Sequence, residues 1–167
     1  MSAEENQMAL PRQRLRQHGR QRRTIWREIN ENLRESEIRA ALAAYGANVP
    51  RNRSVFRHGD FWPGNVIWQG GEIAAVIDWE EARFGDPLAD LSICRLDLLW
   101  VVGYEGMLEF TELYQAQMRL DLTDLAYADL CASLRPITNI HEWASSYPPL
   151  GRPDITTETM SAGHQLF

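Results

Sequence analysis

The sequence predicts an α+β chain that is mainly helical and carries one β-hairpin, and three observations support that class. Outside residues 54–78, apolar residues return at spacings of three and four over most of the length. Two β-rich runs, Asn65-Val-Ile-Trp-Gln69 and Glu72-Ile-Ala-Ala-Val-Ile77, are separated only by Gly70-Gly71. Gly46 and Pro87 stand where helices should stop and start. With 167 residues and 44% hydrophobic content, the chain can bury one core of ordinary domain size, so one globular unit is expected.

Residues 12–45 read as mostly helical, because Ile25, Ile29, Leu33, Ile38, Leu42 and Tyr45 recur with one slip. Ser36 lies at that slip and divides the stretch into two helices. Arg12 to Arg27 holds seven arginines, but Glu28, Glu31, Glu35 and Glu37 follow at once, the pattern of a solvated mixed-charge face rather than a nucleic-acid patch. A loop over 46–53 leads to a short strand, Ser54-Val-Phe-Arg57, ending at His58. Gly70-Gly71 suits the positive φ angles of a two-residue hairpin turn, which fixes a register. If Gln69 faces Glu72, Asn65 lies opposite Val76 and Asp78 sits two places beyond. Side chains alternate with period two, so Asn65 and Asp78 share a face as diagonal neighbours, about 7–8 Å apart at the backbone. The turn Gly85-Asp86-Pro87 then opens a helix from Pro87 to Val102. Further helices follow over Glu105–Leu120 and over Thr123 to about Tyr147, with Thr123 as N-cap. Tyr147–Pro153 is a loop, and Thr156–Phe167 is a last helix.

Composition excludes several classes. A net charge of −6 argues against nucleic acid or an anionic membrane as partner, since both reward basic charge. No stretch approaches the roughly 20 apolar residues of a membrane span, and the start lacks the order of a secretory signal. Cys94 and Cys131 each fall in an apolar helical pattern and read as buried free thiols in a reducing compartment. A cytoplasmic location is expected.

The chemistry is concentrated in His58-Gly-Asp60-Phe-Trp-Pro-Gly-Asn65 and Ile77-Asp78-Trp79-Glu80. These segments supply one carboxylate suited to act as a base and two oxygen donors suited to a hard divalent cation. Transfer of a phosphoryl group to a hydroxyl needs those parts and little covalent work from the protein. Asp60 is the candidate base, and Asn65 and Asp78 are the candidate Mg2+ ligands. Pairing an amide with a carboxylate limits negative charge where a nucleotide's phosphates must approach. Taken singly each residue is ordinary, since an aspartate before a turn is most often a cap or loop acceptor. A His-x-Asp pair also permits a metal-dependent hydrolase using His58 and Asp60. The other histidines, His18, His141 and His164, lie in helical contexts without ligand spacing, which disfavours that reading.

His-Gly-Asp-(four residues)-Asn, Ile-Asp-Trp-Glu and Gly-Asp-Pro-Leu-Ala-Asp-Leu, at residues 58–65, 77–80 and 85–91, together resemble the aminoglycoside phosphotransferase/choline kinase-like family. The resemblance covers most of the chain from about Val55 onward. It implies a protein-kinase-like C-terminal lobe, with Asp60 as catalytic base and Asn65 and Asp78 as ligands of Mg-ATP. It also implies that His58 helps to hold the loop, that Asp90 braces it, and that Phe61 and Trp62 pack there or touch substrate. ATP and Mg2+ are the implied co-substrate and cofactor, and a small-molecule hydroxyl compound is the acceptor. Glu80, Glu81 and Asp86 favour an amine-bearing acceptor, although capping and hydrogen bonding account for them equally.

The departures from that family are as specific as the matches. The chain has no lysine, all 17 of its Lys+Arg being arginine, so the family's phosphate-contacting lysine has no counterpart. No glycine-rich strand-turn-strand precedes His58. The expected organisation is a helical linker region over 1–53 and a kinase-like C-lobe over 54–167, with the ATP-gripping N-terminal lobe absent and the C-terminus truncated. Weak Mg-ATP binding and poor turnover are expected of this chain alone. The competing expectation is a catalytically inactive remnant that serves as an interaction module.

Overall fold

The computed structural model describes residues 28–45 and 50–167, so the arginine-rich start of the first predicted helix, His18 and the stop at Gly46 lie outside the described residues. The predicted break in the first helical stretch is present, two residues earlier than Ser36. A short 3-10 turn over Glu31–Leu33 ends at Arg34, whose φ of 53° is left-handed, and helix α1 then runs over Glu35–Tyr45. Asn30 accounts for the reset: its carbonyl accepts from the Glu35 N–H and its own N–H donates to the Glu35 carboxylate. Of the predicted apolar stripe, Leu33 and Ile38 are buried, whereas Ile29 and Tyr45 are exposed.

Strand β1 covers Val55–Arg57 and leads directly into His58. Its antiparallel partner is β4, Arg83–Gly85, a three-residue strand inside the stretch read from sequence only as the approach to a turn. Between them lies the predicted hairpin, with β2 over Val66–Gln69 and β3 over Glu72–Val76. Gly70 and Gly71 adopt φ of 63° and 85°, the positive pair a type I′ turn demands. Gln69 faces Glu72 and Trp68 faces Ile73, as the turn dictates. The register then slips, because Ala74 has no partner: Ile67 faces Ala75 and Val66 faces Val76. This bulge moves the position opposite Asn65 from Val76 to Ile77, whose N–H donates to the Asn65 carbonyl at 3.0 Å. Regular alternation therefore does not place Asn65 and Asp78 on one face.

Helix α2, Leu88–Val101, is the centre of the molecule, with ten of its fourteen residues buried. Such all-round burial is what a helix apolar on every side requires. Around it stand α3, Gly103–Met118, α4, Leu125–Ser133, α5, Ile140–Ser145, and α6, Thr157–His164. The single helix expected over Thr123–Tyr147 is broken. Arg135-Pro136 ends α4's run and starts a 3-10 turn over Pro136–Thr138, since a proline cannot donate to the helix ladder. Asp124, not Thr123, occupies the N-cap of α4. Thr156 caps α6 reciprocally with Thr159.

Leu33, Ile38, Leu96, Trp100, Ile137, Ile140 and Met160 are among the residues of one continuous core under α2. The Trp100 indole N–H donates to the Met160 carbonyl at 3.0 Å, pinning α6 to α2. A buried Arg95–Asp129 pair, bonded at 3.2 and 3.1 Å, ties α2 to α4, and Arg95 also reaches Thr111 of α3. Of the two free cysteines, Cys94 is buried as expected, its thiol pushed up to about 12 by burial, but Cys131 is exposed. Among the described residues no helix is long and apolar enough to cross a membrane.

Candidate functional site

His58-Gly59-Asp60 forms a tight corner at the end of β1, and four separate anchors fix it. Gly59 is essential to the corner: its φ is +89°, and a Cβ there would stand 2.3 Å from the Glu81 carbonyl oxygen. The Asp90 carboxylate, on the first turn of α2, accepts the N–H of His58 at 2.6 Å and of Gly59 at 2.9 Å. One His58 ring nitrogen, Nε2, lies 2.8 Å from the Ile77 carbonyl oxygen, which can only accept. That assigns the proton to Nε2 and leaves Nδ1 as acceptor for the Asp60 N–H at 3.3 Å. Finally, Asn65 Nδ2 donates to the Asp60 carbonyl at 2.9 Å.

Ile77 is the meeting point of these segments. Its N–H is bonded to Asn65 and its carbonyl to His58, so Asp78 begins at a position tied to both. Asp78 has φ of 66° and ψ of 58°, a left-handed conformation that ends the strand and precedes a 3-10 turn over Trp79–Glu81. An aspartate tolerates this conformation better than most side chains, and a held left-handed non-glycine is commonly found at a site. The carboxylate of Asp78 is exposed, and among the described residues it makes no hydrogen bond. Asn65 is buried and spends its amide N–H on Asp60, which leaves its Oδ1 as an oxygen donor. One amide oxygen and one carboxylate fit Mg2+, a hard ion that takes few protein ligands and completes its shell with water and phosphate oxygens. Among the described residues no group of three His, Cys, Asp or Glu is arranged to hold a metal.

Asp60 lines a cleft of about 980 Å³. Neither Asn65 nor Asp78 lines that cleft. Its walls include Gly59, Trp62, Asp97, Arg135 and Tyr147, together with Glu81, Asp86 and Asp124. Arg135 lies against the candidate base: one guanidinium nitrogen is 2.6 Å from Asp60 Oδ1 and another donates to the Gly59 carbonyl at 3.2 Å. Its guanidinium also lies 5.9 Å from the Trp143 ring centre. Asp97, buried in α2, accepts from the Tyr147 hydroxyl at 3.0 Å. Burial pushes the Asp97 carboxyl up to about 7, despite the Tyr147 hydrogen bond and the Arg135 cation, and the Asp60 charge adds to the rise. Trp62 stands edge-on to Tyr147 at 5.8 Å, and Phe61 stands edge-on to His58 at 6.0 Å.

Asp97, Arg135 and Tyr147 were not singled out from the sequence. They lie far along the chain from Asp60 and reach it only through packing of α2 and the α4–α5 connection. The available signal for Asp97 was a carboxylate set among Leu96, Leu98 and Leu99 in the second half of a largely apolar helix. For Arg135 it was a charge placed directly before a helix-breaking proline. Glu81 and Asp86 line the cleft whereas Glu80 does not, and Asp86 Oδ1 also accepts the Leu88 N–H at 3.0 Å at the start of α2.

Residues 2–130 match the model of a family described as the phosphotransferase enzyme family, a span that begins well before Val55 and stops within α4. Hygromycin-B 4-O-kinase from Escherichia coli is 28% identical over 90 residues, 52% of this chain and 26% of that protein. The matched segment thus spans about a quarter of the length of that curated relative. No solved structure matches the chain.

Proposed function

The chain belongs to the phosphotransferase enzyme family, and from that premise we propose that its site transfers the γ-phosphoryl group of ATP to the hydroxyl of a small molecule. The observation that carries the reading is the junction at Ile77, which ties the Asp60 loop, Asn65 and the start of Asp78 through two hydrogen bonds of 3.0 and 2.8 Å. Asp60 accepts the acceptor's hydroxyl proton as the new O–P bond forms and the bond to ADP breaks. Asn65 and Asp78 would hold Mg2+, which when bound neutralises charge on the nucleotide's phosphates. The acceptor lies in the cleft beside Asp60. Asp60, Glu81, Asp86 and Asp124 line that cleft against Arg57, Arg83 and Arg135, a balance that leans toward an amine-bearing acceptor.

These 167 residues offer no lysine to hold the phosphates, so residues 54–167 taken alone would turn over slowly as a C-lobe. Transfer of labelled phosphate from ATP with Mg2+ to hygromycin B, and to simpler amino alcohols, tests the reading. We expect slow Mg-dependent transfer that Asp60→Asn cuts about 10³-fold; transfer undiminished in that variant removes Asp60 as base. Turnover in the usual kinase range of roughly 1–100 per second would remove the expectation of a crippled enzyme. A second reading, an interaction module in which Asp60, Asn65 and Asp78 are idle, draws on the exposed Phe56, Trp79 and Phe84 beside the site. It predicts no transfer to any acceptor.

A further inference from the structure

We infer that Arg135 is a positioning residue that aims the Asp60 carboxylate, holding Oδ1 so that Oδ2 faces the acceptor hydroxyl. This rests on the phosphotransfer reading above. The backbone of the Asp60 loop is already fixed without Arg135: Asp90 takes two of its N–H groups, His58 a third, and Asn65 donates to its carbonyl. None of these touches the Asp60 carboxylate. Among the described residues, only Arg135 does, at 2.6 Å from Oδ1, and no hydrogen bond engages Oδ2.

The geometry of the guanidinium suits the task. Its two terminal nitrogens address two points of one loop, the Asp60 side chain and the Gly59 carbonyl, so it fixes the carboxylate relative to its own backbone. The planar fork is itself held, with the guanidinium carbon 5.9 Å from the Trp143 ring centre and the backbone stiffened by Pro136. The side chains of Arg135 and Asp60 are 29% and 32% exposed, so an isolated pair of this kind contributes little stability. Its value lies in orientation: an ionised carboxylate beside open cleft would otherwise sample several rotamers, and a misplaced base loses rate without losing substrate affinity. A lysine would supply charge at one point only, not the two-point hold.

The test compares the full chain with Arg135→Ala and Arg135→Lys, alone and combined with Asp60→Asn, using Mg-ATP and hygromycin B. Arg135→Ala should lower kcat roughly 10- to 100-fold with KM within about threefold. Arg135→Lys should recover only part of that, and added guanidinium ion should restore rate to the alanine variant. In the Asp60→Asn background, removing Arg135 should cost nothing more. A raised KM at unchanged kcat, or an equal loss in both backgrounds, overturns the proposal. Should no form turn over, the phosphotransfer reading fails for this chain and a second measurement decides the role of Arg135. Side-chain couplings of Asp60 by NMR should then report one χ1 rotamer in the wild type and averaging in Arg135→Ala. Identical couplings in both overturn it, and Arg135→Gln serves if the alanine variant does not fold.

Discussion

The helices around α2 and the two small sheets divide the molecule's work unevenly. In the helical part, Leu96 and Met160 are 1% and 0% exposed, and buried pairs such as Arg95–Asp129 cross-link the elements. In the sheets, Phe56, Trp68, Ile73 and Phe84 are all more than half exposed, and among the described residues each sheet has only two strands. Two-stranded sheets have little stability of their own. Yet His58, Asp60, Asn65 and Asp78 all sit at strand ends, held by hydrogen bonds rather than by burial of apolar area. Fold stability and the candidate chemistry should therefore come apart under mutation.

The largest separation is expected at Asp60 and Leu96. Asp60→Asn should cut transfer about 10³-fold while the melting temperature stays within a degree or two, read by phosphate transfer and thermal melting. Leu96→Ala should do the reverse, costing about 3 kcal/mol of stability while leaving kcat near the wild-type value for molecules still folded. A melting temperature that moves with Asp60→Asn breaks the division. Gly59→Ala tests the seam, because the added Cβ meets a backbone oxygen at 2.3 Å and φ is +89°. It should cost about 2 kcal/mol and also displace Asp60, so both readouts fall together.

Acidity sharpens the comparison within the helical part. The folded-state value of Asp97, about 7, lies above the ordinary 3.8, so the folded form binds a proton the unfolded form releases. That contribution is complete below 3.8 and is lost as pH rises through about 7. Burial holds the His164 imidazole below its ordinary 6.5, so its effect has the opposite sign. Stability from His164 is present above 6.5 and falls as pH drops beneath it. Unfolding midpoints at pH 8 and pH 5.5 should show Asp97→Asn losing relative stability at the lower pH by on the order of 1–3 kcal/mol against the wild type. An unchanged difference between the two pH values would sink the assignment. The smallest effect is expected in the hairpin, where Trp68→Ser should cost under about 1 kcal/mol because its side chain is 61% exposed.

The sequence made the hairpin turn legible because two adjacent glycines leave few alternatives, and it singled out Asp60, Asn65 and Asp78 as candidates because they lie within twenty residues of one another. The bulge was not legible: Ala74 and Ala75 are interchangeable in pattern, and nothing in two alanines says which one pairs. Strand β4 was missed because three residues ending in a glycine carry no period. The long helix read over 123–147 retained its apolar spacing across Pro136, so periodicity outvoted the break that proline imposed. Asp97 lies in α2 and Arg135 in the α4–α5 connection, and the packing of both against the Asp60 loop is a tertiary fact. No local window contains it.

The unpaired Ala74 also sets which length changes the hairpin should survive. Extending the tip by two residues at Gly70-Gly71 preserves the pairing of everything below it. Deleting one residue between 72 and 76 also spares it, because only the extra residue is lost and the ladder becomes regular with the Ile77 N–H still opposite the Asn65 carbonyl. For homologues and engineered variants alike, length changes should gather at the hairpin's tip and at Ala74 and be rare along its first strand, where every residue is paired.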